Sequence, residues 1–282
     1  LNMLDLGGIH IRCDQRGENE PLVIAGGCCV YNPEPLSDFI DLFVMGEGEE
    51  VVPELLELYR AVKHEGGSKR DFLLRAVKIQ GIYVPSFYKV AYNNDGTVAA
   101  ITATDGAPEK VTKRIVQNMD KVFYATKTIV PNTEIVHDRV TLELFRGCIR
   151  GCRFCQAGYV YRPIRAKSWD KLVQKAKDDL TDSGYQEITL SSLSTSDYRG
   201  LGQLCDGIID WCEERKTNLS LPSLRADNFS MSLMEKLNKV RKTGLTFAPE
   251  AGTQRMRNVI NKNVTEEDVR NACRTAFSNG AN

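Results

Sequence analysis

The chain has no excess charge of either sign, with 37 Lys plus Arg against 37 Asp plus Glu. Without a net field, nothing steers the molecule as a whole toward nucleic acid or an anionic surface. No apolar run approaches the ~20 residues that a helix needs to cross a bilayer. The opening residues Leu1–Gly8 lack a basic n-region followed by an apolar core, so no secretory leader is read there and a cytoplasmic protein without a membrane partner is expected. Histidine is scarce: His10, His64 and His137 stand alone, and none sits in a motif that would make it a ligand or a base. A hydrophobic fraction of 42% and a charged fraction of 26% are those of an ordinary globular protein. At 282 residues the chain has room for two domains.

Cysteine, by contrast, is abundant. An odd count of nine, scattered along the chain, does not read as a disulfide framework. In a reducing compartment, clustered cysteines point instead to metal ligation or catalysis. Cys205, Cys212 and Cys273 fall on apolar helix faces and read as core residues. Cys28 and Cys29 follow the Gly26-Gly27 turn, within reach of a ligand, but their plainer reading is a buried loop.

The order of elements is that of an α/β protein. Leu22–Gly27 reads as a strand entering a glycine turn, and Phe39–Met45 as a second strand ending at Gly46-Glu-Gly-Glu49. Val51, Val52, Leu55, Leu56, Tyr59 and Val62 recur at helical spacing up to Gly66-Gly67. This grammar predicts an open, mostly parallel sheet, with ligands expected at the carboxyl ends of its strands. Tyr83–Tyr92 and Val98–Ala103 flank Asn93-Asn-Asp-Gly96 and predict a β-hairpin.

From Val140 onward, strands recur about every 30 residues, the length of a βα unit. Thr141–Phe145, Glu187–Leu190, Leu219–Leu224 and Leu245–Ala248 are the four expected strands. Ser168, Ser230 and Thr265 are the expected N-caps of intervening helices, Thr265 with Asp268 as a capping box. Four units in series predict a parallel barrel or part-barrel, and a chain that stops after a helix predicts a truncated one. The expected divisions are 1–70, a β-containing connector over 71–139, and 140–282.

Cys148-Ile-Arg-Gly-Cys152-Arg-Phe-Cys155 gathers three thiols directly after a strand. A structural zinc site needs four ligands, generally two paired sets, and a ferredoxin-type cluster normally takes four cysteines. Three thiolates leave one iron of a cubane open to a small molecule. Gly147 and Gly151 let the loop wrap closely, and Arg146, Arg150 and Arg153 place positive charge beside the thiolates. Zinc with a remote fourth ligand and a plain electron carrier stay open on these residues alone.

The run Leu142-Glu-Leu-Phe-Arg-Gly-Cys-Ile-Arg-Gly-Cys-Arg-Phe-Cys-Gln-Ala-Gly158 and the βα series after it resemble the radical S-adenosylmethionine (SAM) superfamily. The resemblance implies that Cys148, Cys152 and Cys155 hold a 4Fe–4S cluster whose fourth iron SAM chelates, and that Phe154 lies near the adenine. Where the family carries Gly-Gly-Glu this chain has Ser191-Ser192-Leu193-Ser194, so Ser191, Ser192 and Ser194 take the methionyl side by implication. Ser223 and Arg225 are implied for ribose and carboxylate, and Glu250 at the mouth of the fourth strand.

The first segment, through Gly26-Gly27, Pro33-Glu34 and Val44–Glu49, resembles the carboxyl-terminal half of a cobalamin-binding (Rossmann-type) domain. It lacks that fold's Asp-x-His-x-x-Gly ligand motif. Together the segments resemble an uncharacterised bacterial family with a cobalamin-binding-like domain before a radical SAM core. The implied activity is reductive cleavage of SAM to a 5′-deoxyadenosyl radical, with flavodoxin or ferredoxin as the implied reductant. The layout of Glu187–Asn263 is similar to methylthiotransferases acting on RNA or protein; methyl transfer through cobalamin is the other downstream option. An iron–sulfur electron carrier or redox sensor is the non-enzymatic alternative.

Overall fold

A computed structural model describes residues 1–125, 127–222, 224–228 and 245–279. The expected Ser230-capped helix, with Leu233, Leu237 and Val240, lies outside the described residues. The chain divides into two compact units, Leu1–Val116 and Gln117–Asn282. This division falls inside the stretch read as a connector.

In the first unit, β1 (Ile24–Gly26) pairs in parallel with β2 (Leu42–Val44), which pairs antiparallel with β3 (Ile82–Tyr83). The sheet is therefore mixed. Both parallel strands are shorter than the apolar runs that predicted them. Helix α1 (Gly48–His64) buries Val51, Leu55 and Val62 against this sheet and leaves Val52 and Leu56 exposed. Helix α2 (Lys69–Ala76) opens with a full capping box between Ser68 and Asp71 and buries Phe72 and Ala76. The hairpin forms as expected, with β4 (Tyr88–Tyr92) antiparallel to β5 (Val98–Ala103). At Gly46 the chain passes so close to Arg114 that a Cβ would stand 1.9 Å from its carbonyl oxygen, with φ at 123°. Only glycine fits there.

The second unit is built on a parallel three-stranded sheet in the order β10 (Asn218–Ser220), β9 (Glu187–Ser191), β6 (Val140–Glu143). Strand β6 (Val140–Glu143) runs into β7 (Phe145–Arg146), and the cysteine loop follows with a short α3 (Ala157–Val160). Strand β8 (Arg165–Ala166) returns antiparallel to β7 and leads to α4 (Trp169–Ser183). Then come β9 (Glu187–Ser191), α5 (Leu201–Arg215), β10 (Asn218–Ser220), α6 (Gln254–Val259) and α7 (Glu266–Ser278).

The core of this unit follows from two periods. Leu142, Ile188, Leu190 and Leu219 alternate along their strands and are at most 1% exposed. They meet Leu172, Ala176 and Leu180 of α4 and Leu204, Cys205, Ile208 and Cys212 of α5. The two helices approach closely at Gly207, where a Cβ would sit 2.7 Å from a Val173 methyl. Burial pushes the Cys212 thiol up to about 11, as expected of a core cysteine. The other sheet face is polar: Thr141 stands opposite Thr189, Glu143 opposite Ser191, and Ser220 opposite Thr189. Such alternation places hydrogen-bonding side chains on the side away from the helices.

Four expectations need correction. The third strand ends at Ser220 rather than Leu224, and the fourth shrinks, among the described residues, to one bridge between Leu224 and Phe247. Ser168 does precede α4, but its hydroxyl donates to Asp120 instead of accepting from its own helix. Cys28 and Cys29 are exposed, not buried. No helix among the described residues is long and apolar enough to cross a membrane. The packing predicts that Leu190→Ala in the full-length protein costs about 2–5 kcal/mol. Thr189→Ala, one residue away on the polar face, costs less than about 1 kcal/mol. Urea midpoints of the two variants provide the measurement.

Candidate functional site

The cysteine loop is shaped by glycine and by a docking turn. Gly147 has φ 91°, and a Cβ there would stand 2.5 Å from the Pro163 carbonyl oxygen, so the chain turns out of β7 where no larger residue fits. Arg153 N–H donates to the Ile260 carbonyl at 2.9 Å, and its guanidinium to the Val259 carbonyl. Asn261 Nδ2 donates to the Gly151 carbonyl at 2.8 Å. Asn261 itself adopts φ 55°, a left-handed conformation that asparagine tolerates. The segment after α6 thus holds the loop from behind.

Cys148, Cys152 and Cys155 all line one cavity of about 240 Å³. All three thiols are free, Cys152 is buried, and the Arg150 backbone N–H points at Cys148 Sγ from 3.4 Å. Among the described residues no three His, Cys, Asp or Glu side chains converge on a point that would hold a single ion. A structural zinc needs such convergence. The three thiols share the lining of one cavity.

The same cavity is lined by Phe154, Ser194, Arg225 and Glu250. Phe154 is 54% exposed, an apolar ring left uncovered beside the thiols. Glu250 accepts from Lys262 Nζ at 3.1 Å and sits at φ 68°, a conformation that costs a non-glycine residue roughly 1–2 kcal/mol. Arg225 is 8% exposed and donates to Asp227 at 2.8 and 3.0 Å and to the Lys262 carbonyl at 2.8 Å. Ser191 and Ser192 instead line a second cavity of about 310 Å³, with Glu143, Arg146 and Tyr161. Leu193 belongs to the walls of both. Ser223 lies outside the described residues.

The arginines expected near the thiolates divide their work. Arg146 pairs with Glu143 at 2.7 Å, and Glu143 also accepts from the buried Lys167 at 2.7 Å. Arg153 is taken up by the docking turn. Of these three, Arg150 lines the thiol cavity, its guanidinium clamped by Asp197 (Nε to Oδ2, 2.9 Å) and by Asp227 at 3.3 Å. Asp197 also accepts from Ser194 Oγ at 2.7 Å. Burial alone would raise the Asp197 carboxyl, but hydrogen bonds from Arg150 and Ser194 outweigh it and hold the group below the usual carboxylate range. The same pairing raises Arg150.

Asp197, Asp227 and Lys262 are residues of the candidate site that sequence reasoning missed. The spacings Ser194-x-x-Asp197 and Arg225-x-Asp227, both just beyond strand ends, were the available signals. Because the folded Asp197 value lies below the unfolded one, its contribution is present above the unfolded range near ~3.9 and is lost as pH falls through the folded value. Asp197→Asn should therefore destabilise the protein by on the order of 2 kcal/mol at neutral pH. The gap to wild type should close as pH falls below about 4. Denaturant melts across pH test this, and a gap that stays constant into acid would contradict the ion-pair account.

With this geometry in view, residues 142–282 match the family model described as the radical SAM superfamily. Residues 1–85 match the one described as radical SAM proteins, N-terminal. An uncharacterised protein of Methanocaldococcus jannaschii is 30% identical over 266 residues, covering 94% of this chain and 51% of the relative. The chain thus spans about half the length of the curated relative it matches. The cobalamin-dependent SAM radical enzyme OxsB, with aqua-cobalamin and SAM bound, is similar in fold, with a TM-score of 0.63 at 16% identity. That match covers 100% of this chain and 37% of OxsB. The radical SAM methyltransferase TsrM from Kitasatospora setae gives a TM-score of 0.61 at 16% identity, covering 92% of this chain and 48% of TsrM.

Proposed function

The chain belongs to the radical SAM superfamily, and from that premise we propose that it carries the SAM-cleaving centre of an iron–sulfur enzyme. The observation that carries the reading is one cavity shared by three free thiols, an uncovered aromatic ring and a set of charged strand-end residues. The family's resident groups are a 4Fe–4S cluster and SAM. The donor set fits the cluster: three soft thiol ligands on one loop, all lining one cavity.

When bound, the cluster supplies one electron for reductive cleavage of the SAM sulfonium to methionine and a 5′-deoxyadenosyl radical. The protein's own part is positional. Cys148, Cys152 and Cys155 would hold three of its irons. Phe154 offers its exposed ring to a flat heterocycle. Ser194, whose hydroxyl donates to Asp197, presents an acceptor oxygen, and Arg225, held by Asp227, presents positive charge to the polar groups of the same ligand. Glu250, fixed by Lys262, contributes a carboxylate to the lining, suited to an ammonium or hydroxyl. Ser191 and Ser192 line the second cavity rather than this one, and in this reading they serve the reacting partner. Ser223 keeps its implied role on the resemblance alone.

The fold we infer for the intact protein is a part-barrel of βα units preceded by a cobalamin-binding-like domain, with 71–139 linking them. Cobalamin itself is named for OxsB and TsrM. In the first unit the histidines do not fit a lower ligand: His10 is tied to Glu20 at 2.8 Å, and His64 closes the last turn of α1. We derive no step through cobalamin. A soluble one-electron donor such as flavodoxin or ferredoxin supplies the electron in this reading. An electron carrier is the weaker alternative, since it would have no use for Arg225 and Glu250 in the walls of the cavity.

Single Ser substitutions at Cys148, Cys152 and Cys155 in the full-length, anaerobically reconstituted protein test the assignment. Each is expected to lower cluster iron and to abolish 5′-deoxyadenosine formation from SAM and dithionite, whereas Cys273→Ser leaves both unchanged. Product formation that survives all three substitutions would overturn it.

A further inference from the structure

Outside the cysteine loop the first unit holds a second close pair of thiols. Cys28 and Cys29 begin the 3₁₀ turn Cys28–Tyr31, directly after β1 and Gly27, whose φ is 100°. Successive side chains in extended chain point to opposite sides. This turn brings both sulfurs to one side instead, 3.9 Å apart, and leaves both residues exposed. The turn stands at the carboxyl end of β1, a strand paired in parallel, where α/β sheets present their ligand loops.

We propose that Cys28 and Cys29 form a two-thiolate site for a soft, thiophilic metal or metalloid centre. Thiolates bound at about 2.3 Å to one tetrahedral centre stand about 3.8 Å apart. The observed 3.9 Å separation already has that span. A disulfide fits less well. Adjacent Cα atoms lie about 3.8 Å apart, below the roughly 4.4–6.8 Å that unstrained disulfides span. Two sulfurs and no oxygen or nitrogen ligand select a soft acceptor over a hard one. Among the described residues no third His, Cys, Asp or Glu joins the pair, so the remaining coordination positions face solvent and the centre exchanges. Binding releases one proton from each thiol for a metal ion. With a trivalent arsenoxide, both As–S bonds form as the oxygen leaves as water with the two thiol protons, and no oxidant or reductant takes part.

Phenylarsine oxide is the probe. The full-length protein, reconstituted with iron and sulfide so that the cysteine loop is occupied, is treated anaerobically, rinsed with excess monothiol and weighed intact. One arsenical per chain is expected to resist the rinse. Cys28→Ser and Cys29→Ser should each abolish its retention, since one thiol alone exchanges with the rinse, and Cys13→Ser should retain it. Retention in both of the first two variants would place the arsenical elsewhere and overturn the proposal. So would absence of any adduct on the wild type, or an isolated protein 2 Da lighter across a Cys28–Cys29 peptide. None of these outcomes bears on SAM cleavage, which the loop variants test separately.

Discussion

The candidate site depends on the clamp that two carboxylates place on Arg150. Asp197 reaches it from the loop after β9 and Asp227 from the loop after β10, while Arg150 itself sits between two of the three cysteines. One guanidinium therefore fixes the cysteine loop against the ends of two strands. Arginine suits this position, because its planar fork can satisfy two acids in fixed geometry and it stays charged at any physiological pH. An unpaired charge in the same place would be costly, which couples the fold of the loop to that of the strand ends. Asp227 then passes the constraint on to Arg225, and the Lys262 carbonyl passes it to the segment that carries the docking turn.

Around that clamp, chemistry and stability separate cleanly by face. Alternation along β6 and β9 sends Leu142, Ile188 and Leu190 to the helices and Thr141, Glu143, Thr189 and Ser191 to the other side. The apolar face supplies the packing that makes the scaffold rigid. The polar face and the strand-end loops supply the groups that line the two cavities. Leu193 is common to the walls of both cavities. Such a division lets the ends of strands vary in chemistry without disturbing the core.

Much of this was legible in the sequence, for physical reasons that differ by element. Helical spacing located α1, α4 and α5, and Thr265 with Asp268 forms the expected capping box before α7. Local signals of that kind need no tertiary information. Ser168 misled, because its partner Asp120 lies 48 residues upstream and no local pattern announces it. The partners of Arg146 and Arg150 were hidden for the same reason: a basic residue beside a motif does not reveal which carboxylate neutralises it. Cys28 and Cys29 read as buried because cysteine usually is. The turn after Gly27 exposes them. The serine run was read as one group, yet the backbone parts it at Leu193 into members of two cavities.

The central claim is that the three thiols hold a cluster with one iron open to SAM. Electron paramagnetic resonance of the reduced, anaerobically reconstituted full-length protein, recorded with and without SAM, tests it most directly. The account predicts a 4Fe–4S signal whose shape changes when SAM is added. A cluster signal indifferent to SAM, or zinc in place of iron at Cys148, Cys152 and Cys155, would contradict it.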